Sequence, residues 1–251
     1  MAVKRNQLDV IETLIEMEFP LEAPKHNGIN ALGIAAYKGN LPLLQGLHDY
    51  GLDINTVTKK GITPLNLAIK SGNMPCIKYL IENGANPIIK ELQSNELQPL
   101  FQCIKHGNLE ALKLIYDKIG GTLNLDTLKT SHGFTAFTYS GYCKQPHILN
   151  YLSLRVKDLN QLDPLGMTAL CRCLQMRAYE TADRLLTRGA DINTQNREGR
   201  TALTLVTMED DLEGVKFLLD KGANPHLIDV KGNDTCTYAL DGPLYRRFEV
   251  F

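Results

Sequence analysis

Cys171 and Cys173, one residue apart, are the pair whose type and spacing most invite a chemical reading, as a metal chelate or a redox couple. Cys143 adds a thiol that would be reactive if exposed at a helix end. The six histidines, at positions 26, 48, 106, 132, 147 and 226, are scattered, and no two form a local ligand pair. Met208-Glu209-Asp210-Asp211-Leu212-Glu213 places four acids in six positions. This run lacks the glycine and spacing of a calcium loop. It reads as acids at a helix N-terminus, complementing the macrodipole, or as an acidic patch for a basic partner. No dinucleotide or Walker loop, no HExxH pair and no nucleophile elbow occurs. The sequence therefore predicts no catalytic residue, no metal site and no cofactor.

The elements that must carry any function are set by composition and period. A chain of 251 residues with 43% hydrophobic and 22% charged residues has the balance of a folded, soluble protein. Its formal net charge of −1 offers no global attraction for nucleic acid or for an anionic membrane. No run of about 18 apolar residues is present to span a bilayer, and the start carries no secretory pattern. Six cysteines are too few for a disulfide-stapled fold, which points to a reducing compartment.

Self-similarity is the stronger signal. Gly61-Ile62-Thr63-Pro64-Leu65-Asn66-Leu67-Ala68 recurs as Gly28-Ile29-Asn30-Ala31-Leu32, Gly166-Met167-Thr168-Ala169-Leu170 and Gly199-Arg200-Thr201-Ala202-Leu203. Weaker copies start at Glu96, Gly133 and Gly232, so successive anchors are spaced 33, 35, 37, 33, 33 and 33. A second frame, Gly-Ala-Asp/Asn, appears at Gly84, Gly189 and Gly222, with a variant at Gly51. Together these motifs resemble the ankyrin repeat, whose signature is T-P-L-H-x-A and whose period is about 33. The resemblance covers essentially the whole chain. It implies an all-α fold: an ankyrin-repeat solenoid of helix-turn-helix units with hairpin-like loops, about six repeats between partial caps. As a single domain over 1–251, the boundaries are an N-terminal capping helix in 1–24, repeats at 25–57, 58–89, 90–124, 125–162, 163–195 and 196–228, and a C-terminal cap at 229–251.

Aligning the frames explains much of the apparent chemistry. Ala35, Ala68, Cys103, Ser140, Cys173, Val206 and Ala239 form one column of compact residues, as close helix packing requires. Cys173 and Cys103 are thereby core residues, and Cys171 stands where the signature has histidine. Leu32, Leu65, Leu100, Phe137, Leu170, Leu203 and Cys236 supply bulk to the same seam. In the second helix, Leu44, Ile77, Leu112, Leu149, Ala182 and Val215 precede Leu47, Leu80, Ile115, Leu152, Leu185 and Leu218 by three residues, which defines one buried face. The signature histidine is missing from every copy, so its loop hydrogen bonds must be replaced or absent. Extra residues before Glu96 and Gly133, with Gly120-Gly121, predict a longer loop or bend over 119–132.

Proteins of the resembled family bind partners along a concave surface made by the loop tips and the first helices. Carried onto this chain, that surface holds the residues after each anchor, namely Ile29, Ile62, Leu97, Phe134, Met167 and Arg200. If exposed, the five apolar ones form a ladder. The ends of the first helices add Tyr37, Lys38, Lys70, Lys105, His106, Tyr142 and Met176, and a loop tip adds Lys59 and Lys60. The basic region of the first three units favours an acidic, apolar protein or peptide. Phe134 and Tyr142 are the expected anchors, whose joint truncation should weaken binding without unfolding the chain.

The expected function is a non-enzymatic protein-interaction module acting as scaffold, adaptor or inhibitor, monomeric and cytoplasmic, with no nucleic-acid or membrane partner. Its degenerate Leu-, Asn- and Lys-rich repeats are similar to those of effectors that intracellular bacteria deliver to host cytosol. The alternatives are an enzyme or modification factor with a site assembled across repeats, and a substrate for ankyrin-directed asparaginyl hydroxylases at Asn55 and Asn193, each preceded by Asp-Ile and, eight positions upstream, by Leu.

Overall fold

The computed structural model describes residues 29–88, 98–119 and 124–241, which hold thirteen α-helices and, as their only β pairing, an isolated bridge between Lys129 and Thr135. The expected N-terminal capping helix, Leu97, the anchors Gly28 and Glu96, Gly120-Gly121 and the segment after 241 lie outside the described residues. The chain divides into two compact units, residues 1–124 and 125–251.

In the first unit, three helix pairs follow one another: α1 (Ala31–Lys38) with α2 (Leu41–Asp49), α3 (Pro64–Ser71) with α4 (Met74–Glu82), and α5 (Pro99–Lys105) with α6 (Leu109–Lys118). The first helices pack as a row, α1 on α3 on α5, and the second helices as another, α2 on α4 on α6. The second unit repeats the scheme with α7 (Ala136–Tyr142), α8 (Pro146–Ser153), α9 (Ala169–Gln175), α10 (Tyr179–Thr187), α11 (Ala202–Met208), α12 (Leu212–Asp220) and α13 (Thr235–Asp241). Here α7, α9, α11 and α13 form the row of first helices.

The columns read from the sequence are the seams between these rows. Ala35, Ala68, Cys103, Ser140 and Cys173 are fully buried and Val206 nearly so, because any larger side chain would hold neighbouring first helices apart. The bulky column is buried from Leu32 to Leu203, each member contributing about 1.5–3 kcal/mol relative to exposure. The last copy departs from both columns. Cys236 and Ala239 are exposed on α13, where neither supports a seam.

Local sequence sets the helix ends. Thr63, Thr135, Thr168 and Thr201 each accept a backbone N–H with their hydroxyl, and Asn30 does so with its amide oxygen, at the N-terminus of a first helix. The missing signature histidine is partly replaced by the same residue type. Thr138 completes a reciprocal capping box with Thr135, and the Thr204 hydroxyl bonds those of Thr201 and, in the next copy, Thr235.

The turn joining the two helices of a pair differs between the units. In the first unit Gly39, Gly72 and Gly107 occupy it at φ of 69°, 71° and 70°. Asn40, Asn73 and Asn108 follow and cap the next helix with their side chains. In the second unit the corresponding residues are Lys144, Arg177 and Asp210, at φ of 58°, 54° and 54°. Gln145, Ala178 and Asp211 follow, and none makes a side-chain cap. A non-glycine residue in this left-handed region costs about 1–2 kcal/mol, and a lost cap about 0.5–2 kcal/mol.

Candidate binding faces

Among the described residues, the hairpin tips at Gly61, Gly133, Gly166, Gly199 and Gly232 are each closed by their own backbone and by one polar side chain three residues before the glycine. The hydroxyls of Thr58 and Thr130 accept the N–H of Ile62 and Phe134. Asp163 Oδ1 accepts those of Leu165 and Met167, Asn196 Oδ1 those of Glu198 and Arg200, and Asp229 Oδ1 those of Lys231 and Asn233. This column of Thr, Asp and Asn at the repeat spacing is visible in the sequence but was not among the expected functional positions.

The closed tip directs the residue after the glycine inward, so the ladder that exposure of this column would have formed is not presented at Phe134 and Met167. Phe134 is 6% exposed and Met167 is 9% exposed. Ile29 and Ile62 are half-buried and meet around a cavity of about 30 Å³ between neighbouring hairpins, with Thr56, Val57 and Leu67 also on its wall. Phe134 lies beneath two tyrosines, its ring centroid 4.7 Å from that of Tyr142 and 5.8 Å from that of Tyr139. It therefore supports an anchor and does not itself face a partner. The joint truncation expected to spare the fold would delete a core side chain, because Phe134 fills space under Tyr139.

Tyr142, by contrast, is 47% exposed and presents a ring stacked on Tyr139 at 6.2 Å. The Arg172 guanidinium sits 5.7 Å from the Tyr142 ring centroid. It is held there by Asp163, whose Oδ2 accepts from Arg172 Nε at 3.0 Å and Nη2 at 2.6 Å while its Oδ1 closes the hairpin tip. Arg172 and Asp163 were missed as positioning residues. Their signal was the Asp163 column described above. Met176, at the end of α9, is half-buried.

In the first unit several basic side chains lie at the ends of the first helices. Tyr37, Lys38, Lys70, Lys105 and His106 are exposed at the C-terminal ends of α1, α3 and α5, and Lys59 and Lys60 are exposed at a hairpin tip. Desolvation, then the nearby Lys105 and Lys70 ammoniums, push the His106 imidazole below its ordinary pKa. Among the described residues of this unit, Asp49, Glu82, Glu110 and Asp117 all lie on second helices, and α1, α3 and α5 carry no acid. The first helices are thus basic and free of acids, whereas the second helices carry both signs, with Lys78, Lys113 and Lys118 beside the four acids, and Asp53 lies on a loop.

Arg200 is held inside the second unit. Its Nη1 pairs with Glu198 at 2.6 Å, its Nη2 donates to Tyr238 Oη at 3.3 Å, and its Nε lies 3.6 Å from Asp229 Oδ2. Asn55 and Asn193 are also committed to the fold. Each side-chain oxygen accepts a backbone N–H from the next repeat, Asn86 at 2.7 Å and Asn224 at 2.9 Å, and Asn160 does the same for Asp191.

Cys103, Cys171 and Cys173 are buried, and burial pushes all three thiols up, that of Cys173 to about 12. The Thr168 hydroxyl donates to Cys171 Sγ at 3.2 Å. Among the described residues, no group of three His, Cys, Asp or Glu is placed to hold a metal ion, and no helix is long and apolar enough to cross a membrane.

Helix pairs linked by hairpins, with side-chain columns that repeat at 33 residues and touch across the seams, define a stacked repeat protein. Family models described as ankyrin repeats match residues 1–91 and 139–229, and again 68–115. The chain belongs to the ankyrin-repeat family. It is 28% identical over 241 residues to human transient receptor potential cation channel subfamily A member 1, covering 92% of this chain and 21% of the channel. It is 25% identical over 195 residues to an L-asparaginase of Dirofilaria immitis, covering 78% of this chain and 26% of that protein. The chain thus spans a minor part of these relatives, and the activities in their names are theirs. The crystal structure of the human ASB11 ankyrin repeat domain superposes with a TM-score of 0.69 at 22% identity, covering 89% of this chain and 97% of that one.

Proposed function

We propose that the chain is a protein-interaction module, acting as scaffold, adaptor or inhibitor, that binds an acidic, apolar protein segment on the exposed side of its first helices. The observation that carries this reading is the basic, acid-free row of first helices in the first unit. Lys38, Lys70 and Lys105 share one row with no acid on it. Such a field steers anionic partners and disfavours cationic ones. Tyr142 supplies an exposed aromatic anchor in the second unit, seated on Phe134 and Tyr139. Aromatic anchors of this kind carry a disproportionate share of binding energy.

The test compares proteins retained by the immobilised chain at about 150 mM salt, where screening acts beyond about 8 Å. The variant is Lys70→Glu with Lys105→Glu, checked for an unchanged circular dichroism spectrum. Loss of an acidic partner by the variant supports the reading. Equal retention of every partner removes the lysine row from it.

A further inference from the structure

We infer that the turns joining the helix pairs of the second unit form a separate docking edge, built by Lys144, Arg177 and Asp210, for an extended protein segment with two acidic residues followed by a basic one. The two units contrast at these turns. The first unit obeys both local rules at these turns, with glycine in the left-handed position and asparagine capping the next helix. The second unit obeys neither at any of its three turns. Natural sequences depart from local rules chiefly where another demand overrides them.

The fold itself does not use these side chains. All three residues are exposed. Lys144 and Asp210 make no side-chain bond among the described residues, and Arg177 reaches only to 3.9 Å from Asp211 with a side chain 68% exposed. Their charges run positive, positive, negative along the row, and Glu209 adds to the negative end.

The row also sets the geometry of its guest. Because α7, α9 and α11 pack side by side, their C-terminal turns recur at about 8–10 Å. A polyproline II segment advances about 3.1 Å per residue with three residues per turn, so every third side chain on the guest lies on one face and meets one turn. The complementary pattern is Glu-x-x-Glu-x-x-Lys. This edge lies at the ends of the first helices and does not depend on the lysine row of the first unit, so either proposal can fail alone.

The test uses the full chain, ¹⁵N-labelled, with two synthetic peptides at low salt: Glu-x-x-Glu-x-x-Lys and its charge-swapped counterpart Lys-x-x-Lys-x-x-Glu, with Ser and Thr between. Amide shifts should concentrate at residues 142–146, 175–179 and 208–212, and the first peptide should bind at least threefold more tightly. The variant Lys144→Gly, Arg177→Gly, Asp210→Gly should lose that preference while melting higher, by roughly 2–4 °C per substitution. A charge reversal, Lys144→Glu with Arg177→Glu, should invert the preference. Equal binding of both peptides, binding of neither, shifts centred on α1, α3 and α5, or a lower melting temperature for the glycine variant would each overturn the inference.

Discussion

Asn193 Oδ1 accepts the backbone N–H of Asn224 at 2.9 Å, 31 residues further along, so a side chain at this hairpin base holds the turn of the next repeat. Asn55 and Asn160 make the same bond. Asn193→Ala removes the acceptor while leaving the N–H near water, and a net hydrogen bond of this type contributes about 1 kcal/mol. The melting temperature should fall by roughly 2–4 °C. Thermal denaturation followed by circular dichroism checks this, and an unchanged midpoint would show that the bridge is incidental.

The Arg172–Asp163 pair ties the aromatic platform to a hairpin tip, with the carboxylate side chain 1% and the guanidinium side chain 15% exposed. Arg172→Met leaves that carboxylate buried with its backbone donors alone, at a cost of about 1–3 kcal/mol. Asp163→Asn in the same chain should recover part of the loss, because the uncompensated charge is then gone. A double-mutant cycle by urea denaturation measures the coupling, and additive single effects would exclude a direct pair.

Much of this architecture was legible because burial and period are linked. A column that stays compact for six copies, from Ala35 to Val206, has to lie at a seam, and it does. Cys173 was readable as core for the same reason. The orientation of the residue after each anchor was not legible, since period assigns Phe134 to a column without saying which way the column faces. That depends on Thr130 and the positive φ of Gly133, which fold the tip back over the first helix. Arg172 was hidden differently. Its partner Asp163 is nine residues away on a loop, so helical spacing does not reveal the pair. The loss of the signature histidine predicted missing bonds, and the Thr135–Thr138 exchange shows how threonine supplies them locally.

Asp229 gives the second unit an acid-dependent contribution. The Tyr238 hydroxyl, 2.5 Å from Asp229 Oδ2, comes first among the causes that hold the carboxyl down, followed by the N–H groups of Asn233 and Lys231 and the Arg200 charge, and its pKa falls to about 2. A folded-state pKa below the unfolded value means that this stabilisation is complete above about pH 4 and is lost as pH falls through about 2. Tyr238→Phe removes the first cause, so the Asp229 pKa should rise toward 3.8. The variant should then be less stable than the parent at pH 7, with the difference shrinking as pH falls through about 2. Carboxyl ¹³C titration reads the shift directly, and a parent Asp229 titrating near 3.8 would refute the described hydrogen bonding.

The cysteines divide into two reactivity classes that follow from the seams. Cys76, Cys103, Cys171 and Cys173 are buried and their thiols are pushed up by that burial, whereas Cys143 is half-buried and Cys236 exposed. A thiol with a pKa of about 12, as at Cys173, is deprotonated to about one part in ten thousand at pH 8, and the thiolate is the nucleophile. Labelling of the four buried cysteines must therefore wait for the seams to open, a process governed by local or global unfolding. In native protein at pH 8, a maleimide should modify Cys236 and then Cys143 within minutes, and the other four at least a hundredfold more slowly. In denaturant all six should react alike. Rapid native labelling of Cys103 or Cys173, located by peptide mass spectrometry, would mean that neighbouring first helices do not hold the closed seam through which the repeats support one another.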